Sequence, residues 1–97
     1  MIRHAVLFTW TPEATSEQKQ RVAAEVAKLP MLVETVRAFD AGPDVGVNKG
    51  NADFAVAADF DDVDGYVAYR DNPDHRAIVE QYILPIAATR TAIQYEF

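Results

Sequence analysis

Residues Ile2 to Trp10 alternate as a β-strand does, yet both faces of that strand are apolar. Ile2, His4, Val6, Phe8 and Trp10 fall on one side; past Arg3, Ala5 and Leu7 fall on the other. The stretch from Phe54 to Phe60 repeats the pattern, with Phe54, Val56, Ala58 and Phe60 on one face and Ala55 and Ala57 opposite. An antiparallel sheet in a lone domain normally wets one side. A sheet made of these strands needs helices on one face and a second apolar surface on the other.

The segments between the strands supply the helices. In "TSEQKQRVAAEVAKLP", Thr15 and Gln18 form a capping box, and Val22, Val26 and Leu29 make one stripe. This predicts a helix from Ser16 to Leu29 that Pro30 stops. "ETVRAFDAGPDVGVNKGNADFAVAADF" reads as strand, polar loop, strand, and its glycines do not fall at the spacing of a phosphate loop. "DDVDGYVAYRDN" is a short helix opened by Asp61 or Asp62. Asn72-Pro73 ends it and starts a second, "PDHRAIVEQYILPIA", with Ile78 and Tyr82 on its apolar side. In the closing strand Thr91, Ile93, Tyr95 and Phe97 oppose Arg90, Ala92, Gln94 and Glu96.

The order is β-α-β-β-α-β, the pattern of a ferredoxin-like α+β protomer. Residues 1–97 read as a single domain. The uncovered sheet face predicts a homodimer joined sheet to sheet, since two-fold self-pairing is the commonest solution.

Composition narrows the function by exclusion. Fifteen acidic against nine basic residues give a net charge of −6, and the basic ones are scattered along the chain, so nucleic acid is not an expected partner. With no cysteine and two histidines, thiolate chemistry and most zinc sites are out of reach. No apolar run is long enough to span a bilayer, and "MIRHAVLFTW" is not built like a secretory signal, so a soluble cytoplasmic protein without membrane contact is expected. The acidic run "DFDDVD" lacks the spacing and glycine of a calcium loop and suits helix capping; no side-chain metal site and no cofactor are expected.

"RHAVLFTW", "DFAVAADFDDVDGYVAY", "NPDH" and "TAIQYEF", in this order, resemble the stress-responsive dimeric α/β-barrel (Dabb) family. The resemblance spans nearly the whole chain. It implies a ferredoxin-like protomer whose dimer closes two sheets into a barrel. Its enzymatic branch, the plant olivetolic acid cyclases, implies a cofactor-free polyketide cyclisation in a pocket between sheet and helices. The tyrosine and histidine of that chemistry fall on Tyr69 and His75, and a first-strand histidine falls on His4. A third-strand histidine of the cyclases is replaced by Phe54, which makes that wall apolar. The family also implies a cation held by main-chain carbonyls around Val33 to Val36 in some relatives.

Each of these residues has a plain structural reading beside the chemical one. With Asn72 as N-cap, His75 sits three residues in, where its side chain can reach back to the cap's own N–H. The same position at a helix N-terminus disfavours imidazolium and leaves a neutral ring suited to act as a general base. His4 is either a satisfied core histidine or a partner to His75 or Tyr69 across the pocket. Tyr69 either packs at the seam of helix and sheet or gives its hydroxyl to a ligand carbonyl. Phe8, Trp10, Phe54, Phe60, Tyr82 and Ile86 are candidates for a hydrophobic cavity or for a plain core.

The reading favoured is a pocket for a hydrophobic, polyketide-like or aromatic carbonyl compound, with His75, Tyr69 and His4 as candidate acid–base residues. If it is an enzyme, it is a cyclase-like lyase. A stress-associated barrel without catalysis, and a cofactor-free monooxygenase on the same scaffold, are the alternatives.

Overall fold

The computed structural model describes residues 1–97. Nine-residue β1 (Ile2–Trp10) leads into α1 (Ser16–Val26) and a short α2 (Leu29–Leu32), followed by β2 (Ala38–Pro43) and β3 (Phe54–Phe60). Two more helices follow, α3 (Val63–Asp71) and α4 (Pro73–Ile78), and α4 runs on as a π-helical turn, Val79–Ile83. β4 (Ala87–Glu96) closes the chain. The four strands form one antiparallel sheet in the order β2-β3-β1-β4, the ferredoxin-like arrangement that the alternation predicts.

Register explains the two apolar faces. Directly paired residues share a side, so Val6 sits between Val56 and Ala92, and Phe8 between Phe54 and Arg90, under the helices. Val22 and Val26 of α1, Leu29, Ile78, Ile83 and Ile86 close over this face to make the core. The opposite side carries Ala5, Leu7, Ala55, Ala57 and Ile93, and nothing in the protomer covers it. Leu7 is 47% exposed and Ile93 58%. At one end of this surface Arg3 pairs with Asp59 at 2.7 Å and lies over the Phe97 ring.

Two helix boundaries differ from expectation. The helix predicted to reach Leu29 ends at Val26, and Pro30 lies in the first turn of α2 instead of terminating α1. A proline costs nothing there, because the first N–H groups of a helix have no partner. The second long helix is regular only to Ile78. Leu84 N–H then donates to the Val79 carbonyl, five residues back, at 2.9 Å. Pro85 follows, with no N–H to continue the α ladder, and the wider turn resolves the conflict. Thr15 and Gln18 do form the capping box, and Asp62 rather than Asp61 caps α3. No helix is long and apolar enough to cross a membrane.

Candidate functional site

The corner between α3 and α4 is set by Asn72. Its side-chain oxygen accepts from the N–H groups of Asp74 (2.8 Å) and His75 (3.3 Å), so Asn72 caps α4 without help from the His75 ring. The expected reach of that ring to the cap's N–H is not observed, because the Asn72 N–H already donates to the Tyr69 carbonyl. His75 turns instead to the end of α3, where its Nδ1–H donates to the Arg70 carbonyl at 3.1 Å. A carbonyl can only accept, so the proton is fixed on Nδ1 and Nε2 is left with a free lone pair.

The His75 ring lies 4.2 Å, centroid to centroid, from Tyr69. Tyr69 is 2% exposed, yet its hydroxyl is not among sealed-off polar atoms and takes no partner from the chain, so it opens on a cavity. Burial pushes the phenol well above its ordinary value, and the like charge on Tyr66 adds to this; the group stays protonated and keeps its O–H to donate to a ligand oxygen. His75, half-buried, is lowered below the usual histidine value, first by burial and then by Arg76 and Arg90, while the Arg70 carbonyl pulls the other way.

His4 completes the group from the sheet. It is 4% exposed, and its partner is neither His75 nor Tyr69 but Gln94, directly across from it on β4. The Gln94 side-chain amide donates to His4 Nδ1 at 2.9 Å, which places the His4 proton on Nε2. The ring sits 5.0 Å from Tyr66 and 6.0 Å from Tyr69. Burial, then the charges of Arg90 and His75, lower its pKa to about 4, so it is neutral at physiological pH.

All three residues border one cavity of about 360 Å³ between helices and sheet. Its apolar wall is Val6, Phe8, Val26, Leu29, Val56, Ile78, Val79 and Ile83. Of the aromatic and aliphatic set suggested by the sequence, only Phe8 is on it: Phe54, Phe60 and Ile86 belong to the solid core, and Trp10 and Tyr82 pack against that core. Sequence reasoning missed Arg70, Arg76 and Arg90, which all reach the cavity, and Gln94, which sets the His4 tautomer. The signal available was that Arg90 and Gln94 share the helix-facing side of the last strand.

No group of three or more His, Asp or Glu side chains is arranged to hold a metal ion. Within "DFDDVD", Asp59 pairs with Arg3, Asp61 with Arg37, and Asp62 caps α3. Beside its arginines, the cavity offers two uncharged hydrogen-bond donors, the Tyr69 hydroxyl and the His4 Nε2–H, and one free imidazole lone pair. That set can hold a carbonyl oxygen and take a proton.

The sequence matches the Stress responsive A/B Barrel Domain (Dabb) family over residues 2–97. No curated protein sequence matches the chain. Among solved structures, a dimeric ferredoxin-like protein of unknown function from Thermobifida fusca is 42% identical, with a TM-score of 0.92 over 99% of this chain and 90% of that one. A Dabb family protein from Mesorhizobium loti is 27% identical, with a TM-score of 0.82 over 99% and 95% of the two chains. A hydroxynitrile lyase from Passiflora edulis shares the fold at 15% identity, with a TM-score of 0.84 over 97% and 90%.

Proposed function

This chain belongs to the stress responsive A/B barrel domain family, and from that premise we propose that it is a homodimeric barrel that binds an apolar carbonyl compound, polyketide-like or aromatic, and moves a proton on it without a cofactor. The single observation that carries this reading is the pairing of a base and a donor on one cavity. The Arg70 carbonyl commits His75 Nε2 to accept, and the neighbouring Tyr69 hydroxyl is free to donate.

In the proposed step the ligand's carbonyl oxygen accepts from the Tyr69 hydroxyl, with the His4 Nε2–H as a second donor. His75 Nε2 removes a proton from the carbon alpha to that carbonyl, and the electron pair of the broken C–H bond moves onto the oxygen as an enolate held by the two donors. The enolate carbon then adds to a second carbonyl of the same molecule, which closes a ring and leaves an alkoxide that takes the proton back from His75, or the enolate carbon itself takes that proton back. Neither outcome consumes a cofactor. The sheet surface of Leu7 and Ile93 is proposed to face its two-fold mate, as the dimeric description of similar structures supports.

Exchange of α-hydrogens tests the step without knowledge of the substrate. An aryl methyl ketone such as 2-acetylnaphthalene, incubated in deuterated buffer, should lose its methyl proton signal faster with the protein than without it. His75→Gln should remove the acceleration and Tyr69→Phe should reduce it by about tenfold or more. Exchange that is unaffected by His75→Gln removes His75 from the mechanism.

A further inference from the structure

Three of the nine basic residues of the chain, Arg70, Arg76 and Arg90, stand on the cavity wall with the two histidines, and no aspartate or glutamate does. In a protein of net charge −6 this is a local reversal of sign. Two of the three are answered within their own helices, Arg70 by Asp71 at 2.9 Å and Arg76 by Glu80 at 3.4 Å. Arg90 enters none of the ion pairs of the chain. It lies on β4 opposite Phe8, on the same helix-facing side as Gln94, and its charge is felt at both His4 and His75.

A cationic fork without an acid, at the edge of an apolar cavity, lacks its counterpart. We propose that the ligand of this site carries a carboxylate, which Arg90 takes while the carbon skeleton lies against Val6, Phe8, Val56 and Ile83. A planar guanidinium matches a carboxylate with two parallel N–H···O bonds. A doubly charged phosphate fits less well, because the charges of the neighbouring arginines are offset by Asp71 and Glu80 and the first N–H groups of α4 are taken by Asn72, which leaves Arg90 as the one unpaired cation on the cavity wall. The cavity volume of about 360 Å³ lies in the range of small-molecule sites. The substrate class is thus narrowed from carbonyl compounds at large to apolar oxo acids.

This inference rests on the cavity being a ligand site, and one titration separates the two claims. The chain has only two histidines, so the imidazole resonances in a proton–nitrogen or proton–carbon spectrum report on the cavity alone. The probes are 2-naphthoate and its neutral analogue 2-naphthamide, each titrated into the wild-type protein and into Arg90→Gln. The expected result is that both probes move the His4 and His75 signals, with naphthoate binding tighter by about tenfold or more. Arg90→Gln should erase that preference and leave the amide's affinity where it was. Equal affinities in the wild-type protein, or a preference that survives Arg90→Gln, overturn the carboxylate assignment while the cavity reading stands. If neither probe moves either histidine, the cavity reading falls and the assignment falls with it.

Discussion

Truncating Leu7 and Ile93 to alanine together tests whether the uncovered sheet face is the surface on which two protomers meet. The two side chains are close neighbours on that face: Leu7 pairs with Thr91 and Ile93 with Ala5, which places them diagonally across the β1–β4 ladder. Each substitution removes three carbons, and burying a methylene is worth about 0.8 kcal/mol. Leu7 is 47% exposed in the protomer, so about half of its carbon value, roughly 1 kcal/mol, is still to be gained on pairing. Ile93, at 58%, has slightly more to gain. Two-fold symmetry counts every loss twice, so the double variant should weaken the dimer by about 5 kcal/mol, between 10³- and 10⁴-fold in Kd, less any non-additivity between neighbours. Sedimentation velocity across a nanomolar-to-micromolar dilution series reads this directly, with circular dichroism to confirm that the fold persists. Met31→Ala is the control, because Met31 is 92% exposed but lies on α2, away from the sheet face. A double variant that stays as dimeric as the wild type, or a Met31 variant that dissociates equally, refutes sheet-to-sheet pairing.

Three further outcomes are expected. Asn72→Ala should lower stability by about 1 kcal/mol in urea, more than His75→Gln does, because Asn72 and not the His75 ring caps α4; the reverse ranking would restore a capping role to His75. His4 should titrate near pH 4 by NMR, and since the unfolded chain binds that proton from pH 6.5 downward, stability should be intact above 6.5 and fall as pH drops from 6.5 to about 4, by at most about 3 kcal/mol less solvent screening. A His4 midpoint above pH 6 would contradict that burial. The α-hydrogen exchange rate should rise with pH and level off once His75 is neutral, with its midpoint below 6.5 because burial lowers the histidine; a midpoint displaced upward would mean that a group other than His75 acts as base.

How far the sequence was legible depends on whether a feature is local or set by register. The two-faced alternation of Ile2–Trp10 and Phe54–Phe60 is local, and it carries the strand count, the helix side and the uncovered face. Thr15 with Gln18 and Asn72 before Pro73 are likewise local, and the caps form where those residue types put them. The site is different in kind. His4 and Gln94 meet across ninety residues because β4 pairs with β1 in one register, and a slip by a single residue would put Gln94 on the outer face. Arg70, Arg76 and Arg90 look scattered along the chain and gather only when α3, α4 and the start of β4 border one cavity. The tautomer of His75 is less legible still, because it depends on the Arg70 carbonyl, and a backbone group carries no mark in the sequence. Recognising "NPDH" therefore locates the histidine but says nothing of which nitrogen holds the proton. The register and the corner decide that, and with it whether the cavity holds a base or only a packed ring.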